Sequence, residues 1–89
     1  MKRTAKILSN MKAFREDRAI TSAKGIRRFL SPVDQPHFVP AQEAGFMRGD
    51  DYVIGMVHEG QSRAYPAWIV DYYHVVNDRI GDQAVALFS

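Results

Sequence analysis

Cysteine is absent from this chain. The absence excludes disulfides and thiolate zinc sites, and leaves a small domain without a covalent staple. Also missing is any run near the roughly 18 apolar residues that a membrane-spanning helix needs. The basic start, MKRTAKILSNMKAF, has no apolar segment of the kind a signal peptide carries. The expectation is a soluble chain with no signal peptide, either cytoplasmic or the mature form of an exported precursor. No internal repeat or low-complexity tract is visible.

What is present is one domain's worth of ordinary globular sequence, 89 residues with an apolar share of 46%. A chain of that size buries only about 60–65% of its unfolded surface, so its core is modest and a partner surface is plausible. The net charge of +2 conceals an asymmetry: residues 1–28 carry nine Lys/Arg against two acids, and residues 29–89 carry three against eight. Residues 1–30 therefore read as a basic N-terminal helix and linker, and residues 31–89 as an α+β body. Such an arm can bind nucleic acid or an anionic surface through Lys2, Arg3, Lys6, Lys12 and Arg15. Without an aromatic stacking platform, docking onto the chain's own acidic half is the simpler account.

Ile7, Leu8, Met11 and Phe14 fall at helical spacing, which predicts an amphipathic helix over residues 4–18. Gly25, Pro32 and Pro36 mark the following stretch as irregular. Proline 40 opens a short helix over PAQEAGFM, which RGDD ends. From Tyr52 the pattern alternates: YVIGMVH predicts a strand, Glu59-Gly60 a two-residue turn, and QSRAY the returning strand, which gives a hairpin over 52–65. In that register His58 faces Gln61, Met56 faces Arg63, and Ile54 faces Tyr65. Pro66 suits the first turn of a helix at about 66–78, whose apolar side would carry Ile69, Tyr72, Tyr73, Val76 and Ile80. After a turn at Gly81-Asp82, residues 83–88 form a final strand. The fold class is α+β, one small antiparallel or mixed sheet made of the 52–65 hairpin and the 83–88 strand, with helices on it.

On the predicted 66–78 helix, Asp71, His74 and Asp78 cluster on the polar side. A histidine four residues before an aspartate can present two ligands to one ion, with Asp71 as a third or as a group that orients the imidazole. A solvated helix face would carry the same residues. His74 is the candidate acid/base, with Asp78, Asn77 and Tyr65 as the further catalytic candidates beside it. No serine has the setting of a nucleophile and no catalytic triad is visible. Tyr65, Trp68, Tyr72 and Tyr73 read as core aromatics more readily than as a ligand pocket, and Asn77-Asp78 can serve simply to end a helix. His37 and His58 read as exposed, and RGD at 48–50 is too short a motif to support an adhesion role.

Three segments in order, FVPAQEA (38–44), DDYVIGMVHEGQSRAYP (50–66) and HVVNDRIGDQAVALF (74–88), closely resemble the bacterial and archaeal family called domain of unknown function 3179. The resemblance covers roughly residues 34–88. Arg63, Ala64, Tyr65, Pro66, Ile69, Val76, Asn77, Asp78 and Gly81 follow the family pattern, whereas Tyr72, Tyr73 and His74 stand where tryptophan, histidine and glutamate are usual. In the family the terminal strand runs into a Cys-x-x-Cys segment and a further β-rich half. The resemblance therefore implies an N-terminal half, truncated or processed near Ser89, that packs with a complementary Cys-containing segment or a second chain, or self-associates. It places Tyr65, His74, Asn77 and Asp78 toward that segment. It also opens an alternative, a metal-dependent or redox enzyme in which His74 and Asp78 join those cysteines around a transition metal.

Overall fold

The computed structural model describes residues 5–12 and 32–89. Among the described residues, six strands and one α-helix follow in the order β1 (Lys6–Leu8), β2 (Phe38–Pro40), β3 (Val53–His58), β4 (Gln61–Pro66), α1 (Ala67–Tyr73), β5 (Val75–Ile80) and β6 (Gln83–Phe88). A single 3₁₀ turn, Ala41–Glu43, follows β2 directly. Pro40 pre-sets the turn, but the chain makes only this one turn of the short helix expected there.

The strands form two sheets. One has four strands in the order β2-β1-β4-β3, and the other pairs β5 with β6. Within the first, β1 runs parallel to β4 and antiparallel to β2. The β3–β4 hairpin has the register its turn dictates, with His58 opposite Gln61, Met56 opposite Arg63 and Ile54 opposite Tyr65. Glu59 and Gly60 both take positive φ, 51° and 77°, the pair of conformations that matches the twist of flanking strands in a two-residue hairpin turn.

The structure corrects three expectations. Residues 6–8 of the predicted 4–18 helix form β1, and residues 13–18 lie outside the described residues. Apolar spacing at 7, 8 and 11 satisfies a helix locally, but Lys6–Leu8 finds ladder partners on both sides, β2 and β4, and this pairing overrides the local period. Met11 then takes φ 72°, which turns the chain out of the strand.

The predicted 66–78 helix stops at Tyr73. His74 caps it in the left-handed region at φ 68°, with its N–H donating to the Val70 carbonyl at 2.7 Å, and the β-branched pair Val75-Val76 starts a strand instead. The last strand, finally, does not join the hairpin's sheet. Gly81 at φ 61° folds β6 straight back on β5, Ile80 opposite Gln83 and Val75 opposite Phe88.

The core lies between the two sheets. Leu8, Val33, Tyr65, Ile69, Val70, Tyr73, Val76 and Leu87 form it, with Met11, Phe38, Met56, Trp68, Tyr72 and Val85 packed around. The helix α1 touches β4, β5 and β6 and bridges the sheets. Val33 bridges the open side of β5, accepting from the Asn77 N–H at 2.7 Å and donating to the Val75 carbonyl at 2.9 Å. No helix among the described residues is long and apolar enough to cross a membrane.

Candidate functional site

The chemistry-bearing residues converge where β4 faces β5. Alternation along β4 puts Arg63 and Tyr65 on one face, the face turned to the core. The strand then ends at Pro66, which suits the start of α1 and holds Tyr65 at the elbow with no exposure. On β5 the same two-residue period aligns Val76, Asp78 and Ile80. Val76 and Ile80 are fully buried, so the strand carries an aspartate inward, its side chain only 6% exposed.

A buried carboxylate is tolerated only with partners, and Asp78 has two. The Tyr65 hydroxyl donates to Asp78 Oδ2 at 2.6 Å, and Arg63 Nε stands 3.6 Å from the same oxygen. The guanidinium rests on the Phe38 ring, 4.7 Å from its centroid, and Phe38 meets Tyr65 edge to face at 5.9 Å. Arg63 Nη2 also donates to Gln61 Oε1 at 3.5 Å. Cation, phenol and carboxylate thus form a polar knot that ties the four-stranded sheet to the two-stranded one.

Burial first, then the hydrogen bond to Asp78 and the charge of that carboxylate, push the Tyr65 phenol above the usual tyrosine range, while Arg63 pulls it the other way. Tyr65 is therefore a neutral hydrogen-bond donor throughout the physiological range and unsuited to act as a base. The Tyr65 hydroxyl is spent on Asp78, whereas Arg63 Nε meets the same carboxylate only as an ion pair and makes no hydrogen bond among the described residues.

The other predicted site residues lie elsewhere. Asn77 faces away from the knot, and its Nδ2 donates to Asp34 Oδ1 at 2.8 Å, which pins the 32–36 segment alongside β5. His74 is exposed at the end of α1, its Nδ1 3.4 Å from the Ser89 carbonyl oxygen. Asp71 accepts a short hydrogen bond from the Ser89 hydroxyl. His74 and Asp71 thus meet the chain's last residue, while Asp78 lies about 13 Å further along an extended strand. The helical angle that grouped the three does not exist once α1 ends at Tyr73. A shallow groove of about 270 Å³ opens beside Asp34, lined by Asn10, Val33, Gln35 and His37 among others. Of the basic residues proposed for nucleic acid, Lys6 and Lys12 are exposed, whereas Lys2, Arg3 and Arg15 lie outside the described residues.

Sequence reasoning missed Arg63, Phe38 and Asp34 as site residues. The hairpin register already placed Arg63 and Tyr65 on one face, so the first was within reach. Phe38 and Asp34 come from chain segments whose approach only the tertiary fold creates.

The family model described as "Protein of unknown function (DUF3179)" matches residues 30–88. The chain belongs to that family. Neither the curated proteins nor the solved structures contain a match. The matched range takes in the knot residues Arg63, Tyr65 and Asp78. Tyr72, Tyr73 and His74 sit together at the C-terminal end of α1 and its cap.

Proposed function

We propose that this DUF3179 body is a packing half, without an activity of its own, that is completed by the Cys-containing β-rich segment the family resemblance implies. One observation carries the reading: strand β3 is an edge of the four-stranded sheet, and it and its flank expose Tyr52 at 84% and Val57 at 73%, together with Val53 and Ile54. Phe88, on the terminal strand, is equally bare. Edge strands of stable monomers are normally short, charged or covered, and among the described residues β3 is none of these. It offers open backbone groups for an added strand and apolar side chains for specificity.

The polar knot fits this role as a brace. It consumes the buried charge internally and fixes the angle between the sheets, so the edge is presented rigidly. Hydrogen exchange tests the reading. In the isolated chain the β3 amides that face away from β4 exchange rapidly, and adding the complementary segment in trans protects them. Amides that are already protected in an isolated monomer would rule the reading out.

A further inference from the structure

Away from the knot, the two hairpin turns meet. The β3–β4 turn brings His58 and Glu59, and the β5–β6 turn brings Asp82. One ligand atom from each lies within 4.8 Å of the other two. His58 Nε2 is 3.8 Å from Glu59 Oε1. The Glu59 carboxylate leans over the other turn so closely that a Cβ on Gly81 would stand 2.7 Å from its Oε2. The contact depends on a glycine at that position.

Two carboxylates drawn together across separate sheets repel one another unless a cation sits between them. Among the described residues no Lys or Arg forms an ion pair with Glu59 or Asp82. The nearby Arg79 instead donates from Nη1 to the Asp82 backbone carbonyl at 2.9 Å, which fixes the turn and leaves the side-chain carboxylate available. We propose that His58, Glu59 and Asp82 bind one divalent transition-metal ion, which staples the two hairpin turns together.

The donor set selects the class of ion. Imidazole with two carboxylates suits zinc and its neighbours, whereas calcium and magnesium take oxygen ligands almost exclusively. Ligands at bond lengths of about 2.0–2.2 Å lie no more than about 4.4 Å apart around one ion, so a small rotation of these solvent-facing side chains completes the site. Water fills the remaining positions. The consequence is mechanical: a chain with no cysteine gains a cross-link between its two sheets at the end of the hairpins. This site is independent of the packing role of the β3 edge.

Isothermal titration of the untagged chain with Zn²⁺, paired with thermal unfolding, tests it. The expected result is a one-to-one complex and a higher Tm with metal. His58→Ala, at the end of β3, and Asp82→Asn, in the exposed β5–β6 turn, should each weaken binding by at least about tenfold and remove the thermal shift, with the circular dichroism of the apo chain unchanged. His37→Ala and His74→Ala should bind as the parent does. The proposal is overturned if no zinc binds, if His58→Ala and Asp82→Asn bind as tightly as the parent, or if affinity is lost with His37 or His74 instead.

Discussion

Tyr65 and Asp78 lie thirteen residues apart in the chain and meet across two sheets, phenol hydroxyl to carboxylate oxygen at 2.6 Å. The bond is the centre of the polar knot, and its removal leaves a nearly buried carboxylate with only the more distant Arg63. Hydrogen bonds to a charged partner contribute about 1.5–3 kcal/mol. Tyr65→Phe should therefore lower the urea unfolding free energy by about that amount. Combined with Asp78→Asn, the two changes should cost less than their sum, because both remove the same contact.

The raised phenol of Tyr65 also sets a pH dependence. An unfolded tyrosine ionises near pH 10, whereas the folded group holds its proton to higher pH. The folded state then binds more protons than the unfolded state above about pH 10, so stability falls as pH rises there. Below that pH the contribution is fully present. Urea titrations across the alkaline range should show this decline in the parent and a flatter profile in Tyr65→Phe.

The hairpin over 53–66 was legible because Glu59-Gly60 fixes the register of everything around it. The region after Tyr73 was not, for a specific reason. Val76 and Ile80 are four residues apart, a spacing that satisfies both one turn of helix and two pleats of strand. Asp78 separates the readings, since a helix turns it away from that pair and a strand aligns it with them. Its burial in the knot is a tertiary fact. A local signal did exist: Gly81-Asp82 joins VVNDRI to QAVALF as a two-residue hairpin turn. The insertion of Lys6–Leu8 between β2 and β4 left no such mark, because a three-residue strand carries too few alternations to outweigh a helical pattern.

His74 is the residue at which helix gives way to strand, at φ 68°. A non-glycine residue there costs about 1–2 kcal/mol, and glycine returns part of that gain through its chain entropy. His74→Gly should thus stabilise the fold by about 0.5–1 kcal/mol in urea unfolding. In a helix running on to residue 78 the same change would instead destabilise by about 1 kcal/mol.

Gly81 makes the opposite case. Its φ of 61° and the 2.7 Å approach of Glu59 Oε2 to the place of a Cβ both oppose a side chain. Gly81→Ala should cost about 1–2 kcal/mol of stability from the backbone conformation alone. The Glu59 side chain is free to swing aside, so unfolding midpoints should drop without loss of the strand signal in circular dichroism.

The packing role of the β3 edge is tested most directly by sedimentation velocity of the isolated chain beside the Val53→Lys/Val57→Lys variant. The account predicts that the parent self-associates with rising concentration, through surface that a complementary segment would otherwise cover, and that two lysines on this edge keep the variant monomeric. A parent that stays monomeric at every concentration, or a variant that associates just as readily, would contradict it.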